Sequence, residues 1–503
     1  MLPDSLWLLV SALALSLPDR TAAQTPSRAL LLNTPLALAA ANFSSTSTPL
    51  LFALPDPPSS SSPLTVSIAL CSAASSAAPR FFITNDSQVA VPGPGGGTDV
   101  WELVVDSGGL ANVTMTMDGG AGKLAVWGGG ASDSVEIGAS DSGPLHEHLP
   151  EPPLLGDSTS NQALLYSPPF GASPLAQPTY PNYTLPPAEL AFPTPPDGPL
   201  PNYTLILAPL TAALTSQPQT ACALRSHADA KTAGDVLRQQ NWLRDEQGWR
   251  TEWLLDGLTP LTNYTAYTIQ DGTKVNGPTY FTTKSASFSC QLVHSLPFCP
   301  TTSYAVPLPP PPAQSAAYDS KSLPPAISTP LLAYLTNFTT SLLTSACGRD
   351  HYSPLKSCAD CQRAYRHWLC AVSFPRCGEF PHVAATATTS ASASTAGATG
   401  AQQPFAVPAA LVPQPSGVPA RNPAFPAFSQ PYTALLPCLE TCYDVDRACP
   451  AFMGFKCPRP EFNANVSYGV GFVDGVLGKE GVVGGGSTGA AQDRWGNVWC
   501  NPS

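Results

Sequence analysis

Cysteine is the residue type with the most chemistry to offer here, and there are 14 of them. Ten fall late: Cys347, Cys358, Cys361, Cys370, Cys377, Cys438, Cys442, Cys449, Cys457 and Cys500. The other four are Cys71, Cys222, Cys290 and Cys299. Both counts are even, the arithmetic of a disulfide framework formed in an oxidising compartment, and the many pairings open to ten thiols leave the connectivity unreadable. Cys358-x-x-Cys361 admits two other readings, half a zinc site or a thioredoxin-like redox pair. Zinc wants a second close pair of Cys or His, and a redox pair wants a βαβ context; the sequence offers neither.

Other motifs that carry chemistry elsewhere lack their settings. Gly485-Gly486-Ser487-Thr488-Gly489 fits the nucleophile pattern G-x-S-x-G, and Gly484, Gly486 and Gly489 fit G-x-G-x-x-G. Both sit in one glycine-rich run with no strand-turn-helix around it. His146-Glu147-His148 lies in a proline-rich stretch and reads as a solvated loop, and Asp444-x-Asp446 reads as a helix surface rather than a calcium loop. No catalytic, cofactor-binding or metal-ligating residue is expected, and the chain reads as a non-enzyme.

The composition sets the compartment and the partners. Lys and Arg number 23 against 34 Asp and Glu, a net charge of −11, and a nucleic-acid binder would need a basic face. The first 23 residues carry an apolar core from Leu6 to Leu17, too short to cross a bilayer but suited to a signal peptide. Sequons at Asn42, Asn85, Asn112, Asn182, Asn202, Asn263, Asn337 and Asn465 imply N-linked glycans on a secreted surface. No later stretch holds 18 uninterrupted apolar residues, and the closing RWGNVWCNPS is too polar for a lipid-anchor signal. The expected route is the secretory pathway, and any membrane association would come through a partner.

With 503 residues, of which 58 are proline and 38 glycine, the chain divides at low-complexity breaks. Residues 30–140 read as an antiparallel β-sandwich: Val113, Met115 and Met117 alternate with polar residues, and WELVV, KLAVW and SVEI flank them. Residues 141–199 read as a linker, with 15 prolines between Pro144 and Leu200. It holds YPNYTLPPAEL, a phrase echoed by LPNYTLILAPL at Leu200. Residues 200–303 read as a second sandwich of fibronectin type III kind, because LTPLTNY (Leu258 to Tyr264) has the spacing of a tyrosine corner. Trp253 is its candidate core aromatic, and Asp271-Gly272 and Asn276-Gly277 are turn candidates. A linker at 304–330 leads to a cysteine-rich helical domain at 331–503, whose uncharged insert 380–420 is expected to be disordered. The fold class is therefore multidomain α+β: two β-sandwich-like domains, then a disulfide-rich, mainly helical one.

Two helices would carry the late thiols. SPLKSCADCQRAYRHWLCAVSF has Ser353 as N-cap and Pro354 at its first position, and places Cys361, Tyr365, Trp368 and Leu369 on one face. In PCLETCYDVDRACP, Cys438, Cys442, Val445 and Cys449 share one stripe. The first helix is locally basic: Arg349, Lys356, Arg363, Arg366 and Arg376 stand against Asp350 and Asp360. Arg363, Arg366 and Arg376 are the candidate partner interface, a face that would dock on acidic loops.

The phrases FSCQLVHSLPFCPTTSYAVPLP (from Phe288), DCQRAYRHWLCAVSFPRC (from Asp360), RNPAFPAFSQPYTALLPCLETCYDVDRACPAFMGFKCP (from Arg421) and the closing NVWCNP strongly resemble the fungal stretch-activated calcium-channel regulatory subunits, the Mid family. The resemblance implies an extracellular accessory subunit of a high-affinity calcium-uptake channel at the plasma membrane. Its partner would be a large four-repeat, voltage-gated-like pore subunit, whose assembly, trafficking and gating it supports under stress or mating signals. It also implies a cysteine-rich module similar to Frizzled-type domains and to auxiliary subunits of sodium-leak channels. Two alternatives remain: a Frizzled-like lipid- or ligand-binding receptor module, and a secreted cell-wall glycoprotein.

Overall fold

The computed structural model describes residues 28–39, 42, 48–57, 62–72, 78–97, 99–117, 122–130, 133–171, 185–189, 195, 198–226, 232–312, 315–344, 352–379, 410–459, 462–469 and 500–502. The signal peptide, the glycine-rich run at 484–489, Cys347, Arg349, Asn182 and insert residues 380–409 lie outside them. The chain divides into two compact units: residues 1–68, 74–106 and 111–145, and the remainder.

The first unit is built from β1 (Arg28–Ala29), β2 (Leu36–Leu38), β3 (Leu50–Ala53), β4 (Pro63–Leu70), β5 (Arg80–Thr84), β6 (Trp101–Leu103), β7 (Leu110–Thr116), β8 (Lys123–Trp127) and β9 (Val135–Ser140). They form a five-stranded sheet, β1-β3-β8-β5-β6, and a four-stranded one, β2-β9-β4-β7. The pairs β2–β9, β3–β8, β5–β6 and β5–β8 are antiparallel, and β1–β3 is a short parallel one. Alternation decides what is buried: Met115 and Met117 are inside while Asn112, Thr114 and Thr116 face out. Phe52, Leu64, Val66, Ile68, Phe81, Ile83 and Leu124 are the apolar core.

The second unit opens with strands where a linker is expected. β10 (Glu147–Leu149), β11 (Leu154–Ser158) and β12 (Ala163–Tyr166) precede β13 (Tyr203–Pro209) and the short helices α1 (Ala212–Thr215) and α2 (Ala221–Ser226). Then come β14 (Asp235–Asp245), β15 (Gly248–Asp256), β16 (Asn263–Gln270) and β17 (Lys274–Thr282). Two four-stranded sheets result, β10-β17-β16-β13 and β11-β12-β15-β14. The second sandwich thus starts near residue 147, and the prolines that suggested a linker bracket its strands instead of interrupting them: Pro150, Pro152 and Pro153 lie between β10 and β11, Pro168 and Pro169 after β12. His146-Glu147-His148 is correspondingly no solvated loop. His146 is buried, Glu147 pairs with Lys274 at 3.2 Å, and the His148 ring nitrogen lies 2.8 Å from Gly277 O.

The tyrosine corner is present. The Thr259 N–H donates to the Tyr264 hydroxyl at 2.9 Å, and Tyr264 stacks on Phe281 beside buried Trp253. Tyr264→Phe should cost about 1 kcal/mol, read as a lowered denaturation midpoint. Of the two turn candidates, Asp271-Gly272 joins β16 to β17 with positive φ at both residues (51° and 81°), whereas Asn276-Gly277 lies inside β17. There a Cβ on Gly277 would sit 3.0 Å from Ala266 O, so this glycine serves close strand approach, not a turn.

Beyond the sandwich lie β18 (Gln291–Val293), β19 (Tyr304–Val306), α3 (Pro325–Thr344), α4 (Cys358–Ser373), β20 (Arg376–Gly378), β21 (Leu411–Gln414), β22 (Tyr432–Leu435), α5 (Leu439–Ala448) and α6 (Ala464–Ser467). α3 begins inside the stretch expected as the second linker, 304–330. β21 lies in the insert expected to be disordered, and is ordered by pairing with β22, which also pairs with β20. The cysteine-rich part does not separate as a mainly helical domain: it shares one compact unit with the second sandwich, and β-structure predominates along the described chain.

Candidate functional site: a disulfide-stapled helical cap

Ser357 caps α4, its side chain accepting from the Asp360 N–H while the Asp360 carboxylate accepts from the Ser357 N–H. This reciprocal box displaces the start expected at Ser353, whose hydroxyl instead accepts from the Leu355 and Lys356 amides in a tight turn. α5 has no side-chain cap bond; Cys438 and Cys449 flank it at either end.

Cys361 on α4 is bonded to Cys449, joining the two thiol-bearing helices across 88 residues. Cys442 is bonded to Cys457, and Cys438 to Cys500. Cys299–Cys370 and Cys290–Cys377 tie α4 and β20 back to the segment after the sandwich, and Cys71–Cys222 holds α2. Cys358 is also disulfide-bonded, so Cys358 and Cys361 are separate staples rather than one redox pair. Aromatic rings fill the cap between these bridges. Phe338 stacks on Tyr365 at 3.6 Å, Trp368 meets Phe455 edge-on at 4.9 Å, and the Trp368 indole donates to the Tyr468 hydroxyl at 2.8 Å. The Tyr352 hydroxyl lies 2.7 Å from Ser357 O and 2.6 Å from Ala448 O, fixing the start of α4 beside the end of α5.

The three candidate interface arginines do not form one basic face. Arg366 is buried, and Nη1 and Nη2 donate to the carbonyls of Ala188, Phe298 and Pro187 at 2.6–3.0 Å. Burial pulls its pKa down to about 10. Arg376 is buried too, pairing with Asp157 at 3.0 Å and lying 5.1 Å from the Tyr304 ring centre. Their carbonyl and carboxylate partners lie far off in sequence, which is why a local charge count places them outside. Arg363 alone keeps appreciable exposure, and Glu246 and Asp360 already neutralise it.

A second cluster was not legible in the sequence. Glu252, His294 and Ser295 lie together: the Ser295 hydroxyl donates to Glu252 Oε1 at 2.7 Å, His294 Nδ1 is 3.0 Å from the same oxygen, and Gln240 and Tyr166 donate to the carboxylate as well. The residue types suggest a hydrolase, but all three are buried and the serine bonds the carboxylate directly, so the trio is a structural knot. Burial pushes the Glu252 carboxyl up, and the hydrogen bonds from His294, Ser295 and Gln240 outweigh it, holding the group below the ordinary glutamate range. The resulting stabilisation is complete above the unfolded pKa of ~4.3 and is lost as pH falls through the lower folded value. Glu252→Gln should therefore flatten the acid side of a plot of denaturation midpoint against pH, below the ordinary glutamate pKa of ~4.3.

Residues 71–484 match the family model for Mid1, described as a stretch-activated Ca2+-permeable channel component. The chain belongs to the Mid1 family. The matched span begins at the first cysteine and takes in every cysteine except Cys500. Among curated Mid1-family relatives, the stretch-activated cation channel MID1 of Cryptococcus neoformans var. grubii is 39% identical over 398 residues, which is 73% of this chain and 62% of that protein. The stretch-activated cation channel yam8 of Schizosaccharomyces pombe is 31% identical over 45% of this chain and 43% of its own length. The stretch-activated cation channel MID1 of Saccharomyces cerevisiae is 30% identical over 40% of this chain and 34% of its own length. The aligned part of the chain thus spans less than two thirds of each of these Mid1-family relatives. No helix among the described residues is long and apolar enough to cross a membrane.

Proposed function

We propose that this Mid1-family chain is an extracellular accessory subunit of a calcium-uptake channel at the plasma membrane. In this reading the disulfide cap seats on a large four-repeat pore subunit and supports its assembly, trafficking and gating. The observation that carries the reading is the family match from Cys71 to residue 484, which takes in all but one of the cysteines that build the cap. A secreted surface agrees with it: the sequon asparagines Asn112, Asn202, Asn263 and Asn337 are exposed, and Asn42 and Asn85 partly so. We read α3, α4 and α5 with their bridges as the Frizzled-like element of the assembly.

Native pull-down from detergent-solubilised fungal membranes tests this. A four-repeat channel protein should co-purify in stoichiometric yield, and its absence from a folded, correctly glycosylated preparation sinks the proposal. Arg363 is the interface residue carried forward. Arg363→Ala should lower that yield while leaving the denaturation midpoint within about 0.5 kcal/mol of the parent, since a partly exposed ion pair contributes little to stability. Digestion with an N-glycosidase should shift the mobility of the secreted chain, by one step less in Asn337→Gln.

A further inference from the structure

Residues Leu185–Glu189, from the proline-rich stretch, lie along α4 and are held in the manner of a bound peptide. Gln362 Nε2 donates to Pro186 O at 2.8 Å, Arg366 Nη2 to Pro187 O at 3.0 Å and Arg366 Nη1 to Ala188 O at 2.6 Å. Two side chains one helical turn apart thus take three consecutive carbonyls. Gln362 Nε2 also donates to Thr339 Oγ1 on α3 at 2.8 Å, which fixes its amide toward the segment. No carboxylate among the described residues pairs with Arg366, so its buried guanidinium reads main-chain oxygens, not a charge.

The side chains follow the same logic. Leu185 packs against the buried cluster that includes Leu342 on α3 and Cys361 on α4, and Ala188 is buried in the cluster of Phe298 and Leu369, while Pro187 and Glu189 face out. Anchors three residues apart match the three-residue turn of a polyproline II helix, whose carbonyls have no internal partners. Leu185 and Pro186 each precede a proline, which favours that extended form. Among the described residues, no backbone–backbone hydrogen bond holds 185–189. Side-chain clamps and two anchors do so instead, the way proline-rich peptides are recognised.

We propose that the groove between α3 and α4 is a binding site for proline-rich peptides of Leu-Pro-Pro-Ala pattern, filled in this chain by its own residues 185–189. This goes beyond the channel-subunit reading and does not depend on it. A tethered ligand of this kind competes at an effective concentration in the millimolar range, so the site is closed to outside peptide until the strap is released.

The test cuts the strap free. Protease sites are placed within residues 173–179 and 191–196 of the full chain, which is cleaved without reduction and passed over a sizing column. The released segment should co-elute with the chain and be displaced by excess peptide YPNYTLPPAEL. Fluorescently labelled YPNYTLPPAEL should bind the cut chain at least about tenfold more tightly than the uncut one, and Gln362→Leu should weaken that capture about fivefold, the loss of one hydrogen bond. Loss of the segment on the column with no capture of labelled peptide overturns the proposal, as does equal capture of YANYTLAAAEL. If cutting unfolds the chain, the same peptides are offered to an uncut chain whose residues 185–188 are replaced by Gly and Ser. Failure to capture there overturns it equally.

Discussion

Replacing Cys361 and Cys449 together by serine is expected to lower the unfolding free energy by about 2–5 kcal/mol. The bridge closes a loop of 88 residues between two short helices, and both sulfurs are buried beside Val445. Neither helix buries enough apolar surface to stand alone, so the pair depends on being joined in the unfolded as well as the folded chain. Equilibrium unfolding in urea without reductant measures the loss. An unchanged midpoint would mean that the aromatic stack from Phe338 to Phe455 holds α4 on α5 by itself.

The second large effect is expected at Asp157. Its carboxylate accepts from Arg376 Nε at 3.1 Å and from the Ala305 N–H at 3.3 Å, and Arg376 Nη2 lies 3.0 Å away as an ion pair, with both charged side chains less than a tenth exposed. Asp157→Ala leaves a guanidinium buried without its counter-charge and should cost about 3–5 kcal/mol. Removing the charge as well, in Asp157→Ala with Arg376→Met, should recover much of that. If the double variant is no more stable than the single one, the loss comes from packing at β11 and not from the stranded charge. This pair joins the sandwich to β20, so its loss should also speed proteolysis near Cys377.

What the sequence discloses follows from the range of the interaction. The tyrosine corner and the alternation at Val113–Met117 are local: spacing alone places the side chains, and the structure agrees. The stripe from Cys438 to Cys449 holds only in part, since Cys438 and Cys449 cap the helix and Cys438, Cys442 and Cys449 enter separate clusters. β10 to β12 escaped because a proline count over a long window ignores where the prolines fall, and here they fall between strands. The basic face of α4 failed for the opposite reason. Arg366 and Arg376 are satisfied by Pro187, Ala188, Gly156 and Asp157, oxygens some 180–220 positions earlier that no window can reach. Glu252 is of the same sort, an isolated acid in a strand whose His294 and Ser295 partners come from another segment. Its one local hint is that an acid in an otherwise inward-facing run needs donors nearby.

The order of the bridges along the chain has a consequence for oxidative folding. Cys299–Cys370 nests within Cys290–Cys377, and Cys361–Cys449 straddles the end of both. In chain order Cys290 and Cys299, then Cys358 and Cys361, then Cys370 and Cys377 come as neighbours well before Cys449. Pairing by chain order at these positions gives the wrong bonds, so oxidative refolding of this part of the chain should run through thiol–disulfide exchange. Cys438 is the last of the described bridges to be completed in chain order, by Cys500, whose neighbour Asn501 donates to the Tyr304 hydroxyl in the core.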